Sequence, residues 1–295
     1  MKTPVFTGSC TAMVTPFGAD GPDLKRMDAL LKKQERGGTR AVVIAGTTGE
    51  NATLTPKEYA LVAEYSVSRI SGGMTVILGV GGNNTAECLR RARFAKAIGA
   101  DAVLMTAPYY NKTTQAGLIR HFETVADGAE APLILYNVPG RTAIGIAEDS
   151  FARLAEHPNI NGVKEASGDV SLAGRILARC GDNLHLWSGN DDLTVPLMAM
   201  GAKGVVSVLS NLLPAETARL CRLCETGDFA AARALYAGYA ELCRLLFVET
   251  NPIPVKAAMK MLGTDSGALR LPLVPLSEKN REKMELCLKK IGLLA

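Results

Sequence analysis

The chain is poor in the residues that several large function classes depend on. Aromatic side chains make up only 5% of the 295 residues, and Lys plus Arg (33) barely exceed Asp plus Glu (29), for a net charge of +4. No basic run is longer than a pair such as Lys32-Lys33 or Arg90-Arg91. Nucleic-acid binding needs clustered positive charge with stacking platforms, so it is excluded as the main role. There are three histidines, His121, His157 and His185, and none has a partner at metal-ligand spacing. That removes zinc sites and histidine-based triads from the list of expectations, and no metal is expected. No stretch reaches the ~18 consecutive apolar residues that span a bilayer. Pro4 and Gly8 interrupt the start before an apolar signal core can form. The expectation is a protein neither exported nor membrane-spanning, and cytoplasmic.

Seven cysteines, Cys10, Cys88, Cys180, Cys221, Cys224, Cys243 and Cys287, cannot all pair, which fits a reducing compartment. Cys221 and Cys224 form a lone CxxC within a helical pattern and read as structural. What the chain does have is core: 47% hydrophobic residues, 29 Gly and a mean hydropathy of +0.12. That is the composition of a compact folded protein and not of a disordered one.

Eight short apolar, β-branched runs alternate with segments of helical period. The strands are expected over Cys10–Thr15, Ala41–Ala45, Thr75–Val80, Ala102–Thr106, Leu133–Val138, Ile160–Glu165, His185–Ser188 and Gly204–Val208. Eight strand-helix units in roughly 225 residues fit a (β/α)8 TIM barrel better than a doubly wound sheet. The latter should carry a dinucleotide fingerprint, and Gly79-Val80-Gly81-Gly82-Asn83-Asn84 lacks its last glycine. Beyond Pro214 only helices are expected. The division is a catalytic barrel over residues 1–226 and a three-helix C-terminal appendage over 227–295.

In such a barrel, chemistry belongs at the C-terminal ends of the strands. Strand six carries Lys164 near that end, within Asn161-Gly162-Val163-Lys164-Glu165-Ala166-Ser167. An amine facing inward there loses hydration, which disfavours the ammonium form and favours attack on a carbonyl. The alternative is an outward lysine lying over a helix. Gly46-Thr47-Thr48-Gly49-Glu50 after strand two can expose backbone N–H groups and hydroxyls to an anion, or can be an ordinary turn with a threonine cap. Tyr136 at the end of strand five is a candidate proton carrier, and otherwise a packing residue. Glu165 should point to the opposite side from Lys164.

Taken together these blocks resemble the dihydrodipicolinate synthase family, within the pyruvate-dependent class I aldolases and lyases. The carriers are Gly46 to Glu50, Pro108-Tyr109-Tyr110-Asn111, Tyr136 to Thr142, Gly162 to Ser167, Ser188-Gly189-Asn190-Asp191 and Asn251-Pro252-Ile253-Pro254-Val255-Lys256. The Gly140-Arg141-Thr142 block points to the synthase rather than to the sugar-acid aldolases and lyases of the wider group. The resemblance implies a Schiff base between Lys164 and pyruvate, with Thr47 and Thr48 at the pyruvate carboxylate. It implies Tyr136 as proton shuttle, linked through Thr47 to Tyr110 reaching from a neighbouring subunit, and Arg141 at the carboxylate of L-aspartate 4-semialdehyde. Gly189 and Val206 would line the pocket, no cofactor would be needed, and the assembly would be a homotetramer of tight dimers. A catalytically silent relative is the rival reading, and the intact Lys164, Tyr136, Thr47 and Tyr110 argue against it. Asn51, Ala52, Pro56, Tyr59, Asn83, Glu87 and Tyr109 match a cleft where relatives bind L-lysine as an inhibitor. Pro56 lacks a side-chain donor there, so weak inhibition with lysine retained at Glu87 is the expectation.

Overall fold

The computed structural model describes residues 1–70 and 73–294. Eight parallel strands close into a barrel: β1 (Gly8–Ala12), β2 (Ala41–Ile44), β3 (Thr75–Gly79), β4 (Ala102–Thr106), β5 (Leu133–Asn137), β6 (Ile160–Glu165), β7 (His185–Ser188) and β8 (Gly204–Ser207). Each is followed by a helix on the outside: α1 (Leu24–Gly37), α2 (Pro56–Arg69), α3 (Thr85–Ala97), α4 (Gln115–Ala129), α5 (Glu148–Ala155), α6 (Val170–Cys180), α7 (Thr194–Ala199) and α8 (Pro214–Glu225). This is a (β/α)8 TIM barrel. Three more helices, α9 (Phe229–Leu245), α10 (Ile253–Met261) and α11 (Glu278–Lys290), follow it; α9 packs on α8, and α11 packs on both α9 and α10.

Local chemistry sets the helix starts. Asp23 caps α1 by accepting from Arg26 N at 3.0 Å, and Thr55 and Glu58 form a reciprocal capping box ahead of Pro56 at the first position of α2. β1 begins two residues before the apolar pattern does, because its first pairing is across the closure of the barrel. There Gly8 N donates to Lys203 O at 2.8 Å, and a Cβ on Gly204 would sit 1.9 Å from Gly8 O. The strand ends at Ala12 instead of Thr15; Thr15 turns its hydroxyl to Gly49 O at 2.7 Å.

Alternation along the strands divides the core in two. Cys10, Ala12, Ala41, Val43, Ile77, Leu104, Ile134, Tyr136, Trp187 and Val206 fill the barrel interior, while the opposite faces meet the helices. The N-terminal segment closes the lower mouth. Phe6 stacks on Trp187 with ring centroids 4.9 Å apart, and the Lys2 ammonium donates to the carbonyls of Ala155, His157, Ile160 and Asn183 at 2.7–2.8 Å. Cys221 and Cys224 are both buried free thiols on α8, and burial pushes Cys224 up to about 11, well away from a reactive thiolate.

Candidate active site

Tyr136 and Lys164 are register partners on β5 and β6. Both face the interior; Lys164 is 6% exposed, and its Nζ lies 4.2 Å from the centroid of the Tyr136 ring. Glu165, one residue on, points the other way, as strand alternation requires. Its carboxylate accepts from Asn137 Nδ2 at 2.7 Å and Ser167 N at 2.6 Å, and burial raises its pKa against those bonds. Space around the lysine stem is made by Gly189, where a Cβ would come within 3.1 Å of Lys164 Cε and 2.5 Å of Ala166 Cβ. Val206 is buried on the adjoining wall, opposite Cys10 in the β1–β8 register. The end of β8 is fixed by Asp191, itself buried, which accepts from Val208 N and Leu209 N at 3.0 Å each. Burial raises the Asp191 pKa, against those bonds and the positive charge of Lys164.

The turn after β2 is bracketed by two non-glycine residues in the left-handed region, Ala45 (φ 51) and Glu50 (φ 55). Within it Gly49 N and Asn51 N donate to Gly46 O, and Glu50 N donates to Thr47 O; the N–H groups of Thr47 and Thr48 take no part in these bonds. Thr48 Oγ1 accepts from Asn251 Nδ2 at 2.9 Å. Here lies a residue that the sequence reading quoted but gave no role. Asn251 also accepts Arg141 Nη2 on its carbonyl at 3.3 Å, so it joins the turn to the arginine. Arg141 sits on a one-turn helix, Pro139–Thr142, anchored by Thr142 Oγ1 donating to Ile144 O at 2.7 Å.

A cavity of about 510 Å³ opens beside these groups, lined by Thr47, Tyr136, Val138, Arg141 and Asn251 among others; Lys164, Thr48, Gly189 and Val206 are not among its lining residues. It extends to Asn83, Glu87, Arg91 and Tyr109, so of the residues matched to the lysine cleft Asn51, Ala52, Asn83, Glu87 and Tyr109 share its wall, while Pro56 and Tyr59 do not. Glu87 is already paired with Arg90 (2.7 Å) and Arg91 (3.0 Å), whose hydrogen bonds hold its carboxyl down at about 2. Arg91 also donates to Asn51 Oδ1 at 2.9 Å and lies 5.0 Å from the Tyr59 ring centroid. The Tyr59 hydroxyl, which the sequence left as a possible contact, is buried and donates to Gly79 O at 3.1 Å. Asn83 Oδ1 accepts Tyr109 N at 2.9 Å, and Pro56 is the first residue of α2. Tyr110, by contrast, is 90% exposed and is not among the cavity-lining residues described for its own subunit. Among the described residues no group of three His, Cys, Asp or Glu side chains could hold a metal ion.

An inward lysine beside a tyrosine, with a threonine turn lining the same cavity as that tyrosine, is the equipment of (β/α)8 lyases that work on carbonyl compounds. Comparison with known proteins narrows that class. The sequence pattern of the Dihydrodipicolinate synthetase family matches residues 5–291. A 4-hydroxy-tetrahydrodipicolinate synthase of Syntrophobacter fumaroxidans is 47% identical over 291 residues, covering 98% of this chain and all of that one. The crystal structure of dihydrodipicolinate synthase from Aquifex aeolicus superposes with a TM-score of 0.96 at 42% identity, covering 98% and 99% of the two chains. The Acinetobacter baumannii enzyme, solved in complex with pyruvate, gives 0.96 at 39% identity over 98% and 100%. The Cyanidioschyzon merolae enzyme, solved with lysine bound, gives 0.95 at 36% over 99% and 100%. The chain belongs to the dihydrodipicolinate synthetase family, and it is a lyase.

Proposed function

We infer that the chain condenses pyruvate with L-aspartate 4-semialdehyde to give 4-hydroxy-tetrahydrodipicolinate, the family's step in lysine biosynthesis, with Lys164 as the attacking amine. The observation that carries the residue assignment is the inward, 6% exposed Lys164 with Tyr136 against its Nζ. The Lys164 amine adds to C2 of pyruvate, and loss of water leaves a protonated imine. That cation acidifies the adjacent methyl group, so a proton leaves carbon and an enamine forms; the imine itself is the electron sink. The enamine carbon adds to the aldehyde carbon of the second substrate. The substrate's own amine then attacks the imine carbon, closing the ring and releasing Lys164.

In this reading Tyr136 carries the protons of these steps, and Thr47 and Thr48 with their N–H groups hold the pyruvate carboxylate. Arg141, exposed and with its guanidinium bonded to Asn251 O, is available to grip the carboxylate of the semialdehyde. That cationic fork suits this acidic aldehyde better than the neutral sugar aldehydes that sugar-acid aldolases and lyases join to pyruvate. Tyr110 would complete the proton path from a neighbouring subunit, since its exposure leaves it unused within its own, and a tetramer of tight dimers is the proposed assembly. For the cleft around Glu87 the reading is weak lysine inhibition, because an internal guanidinium occupies the carboxylate that an effector ammonium would use.

Borohydride reduction in the presence of pyruvate tests the reading. Peptide mapping should place the pyruvate-derived mass on Lys164. Covalent trapping that persists in a Lys164→Ala protein would overturn the assignment.

A further inference from the structure

Glu50 and Lys256 are the charged members of two motifs to which the chemistry above gives no role. They meet from opposite ends of the chain, Lys256 Nζ 2.6 Å from Glu50 Oε1, with side chains 0% and 1% exposed. The ammonium also donates to Thr15 O at 2.9 Å and lies 4.4 Å from the Phe17 ring centroid, while Glu50 Oε2 accepts Arg270 N at 3.1 Å. An ion pair taken wholly out of water gives little net stability over apolar residues of the same size, so stability alone is a poor account of it.

The surroundings supply a better one. Glu50 is the last residue of the turn that offers the Thr47 and Thr48 N–H groups, and it holds a left-handed φ of 55 that needs outside support. Thr15, gripped by Lys256 through its carbonyl, holds the same turn through its hydroxyl at Gly49 O. Asn251, in the same motif as Lys256, holds it at Thr48 Oγ1. Lys256 thus fixes the turn twice, through Glu50 and through Thr15, and its recorded bonds involve neither Lys164 nor Tyr136.

We propose that Lys256, acting through Glu50, is a positioning residue that shapes the β2 turn for a carboxylate, and so sets the site's preference for an oxo acid over a neutral carbonyl compound. This rests on the reading of Thr47 and Thr48 as the pyruvate carboxylate site. The test compares borohydride trapping at Lys164 with pyruvate and with its neutral methyl ester. It uses the wild-type protein, Lys256→Met, and the double variant Glu50→Gln/Lys256→Met, in which no buried charge is left unpaired.

Loss of well-placed hydrogen bonds to a charged group should cut pyruvate trapping about tenfold or more in both variants, with the ester changed less than about twofold. Equal losses with both compounds would make Lys256 a structural residue only, and an unchanged preference in both variants would equally overturn the proposal. If Lys256→Met does not fold, the double variant decides. A wild-type protein that traps neither compound on Lys164 would instead overturn the reading of the reaction, and the proposal with it.

Discussion

A single methyl group is enough to disturb the reacting centre. At position 189 it would press on Lys164 Cε from 3.1 Å, on Ala166 Cβ from 2.5 Å and on Glu165 O from 3.0 Å. Overpacking of this kind costs about 1–3 kcal/mol, and here the flexible lysine stem is one of the atoms able to give way. Gly189→Ala should therefore slow imine trapping while far-UV circular dichroism stays native; unchanged trapping would show that Lys164 does not move against Gly189 during the reaction. Arg141 is the contrasting case, since nothing packs it into the core. Removing its fork by Arg141→Ala should cost about 1.5–3 kcal/mol at the semialdehyde step, roughly ten- to a hundredfold in kcat/KM, with pyruvate trapping nearly intact. Equal losses in both half-reactions would place it at the first substrate. At this scale the inward placement of Lys164 and Tyr136 was legible because a side chain on a short apolar strand has only two directions to point. The Glu50–Lys256 pair was not, since 206 residues separate the partners and no local period links them.

Helices α3 and α4 show how an element carries both function and stability. They are joined by Thr85 and His121, whose Oγ1 and Nδ1 lie 2.8 Å apart. Burial lowers the His121 pKa from its ordinary value near 6.5 to about 4. Between those values the unfolded chain binds a proton that the folded chain refuses, so stability is full above about pH 6.5 and falls toward pH 4. Melting temperatures of His121→Gln should lack that part of the decline, and a slope identical to wild type would remove His121 as its source. One face of α3 also presents Glu87 and Arg91 to the side chamber of the cavity. Arg91→Ala frees one side of Glu87, so lysine should inhibit initial rates at about tenfold lower concentration, near 1.4 kcal/mol of added binding. Strong inhibition of the wild-type protein would refute the self-occupied cleft. Element bounds were read most closely at Ala102–Thr106, Ile160–Glu165 and His185–Ser188, where the apolar run and the strand pairing begin and end together. They were misread at β1, where pairing across the closure extends a strand into Gly8 and Ser9 that carry no apolar pattern.

Across the whole molecule the site is assembled from parts that sequence distance hides. The C-terminal helices look like an appendage in the pattern, yet Asn251, Lys256 and Arg270 reach back to hold the β2 turn, so residues 227–295 contribute to the same candidate site as the barrel. Tyr110 extends the argument past one subunit. Its 90% exposure and half-exposed neighbour Tyr109 project from the loop after β4, at the mouth where the cavity is open. An exposed aromatic pair beside the candidate cavity is either surface waste or half of a shared site, and the two differ in what mixed subunits can do. A Lys164→Ala subunit lacks the amine but can lend Tyr110; a Tyr110→Phe subunit keeps the amine but cannot lend the hydroxyl. In a mixed dimer the site with the intact Lys164 then receives an intact Tyr110 from across the interface, and the other site has neither. Mixing the two inactive proteins should restore up to one working site per mixed dimer, read as condensation rate against the fraction of heterodimer measured by native mass spectrometry. Verified heterodimers that stay as slow as the Tyr110→Phe parent would mean that the hydroxyl serves its own subunit, and that the exposed loop owes its form to something other than a shared site.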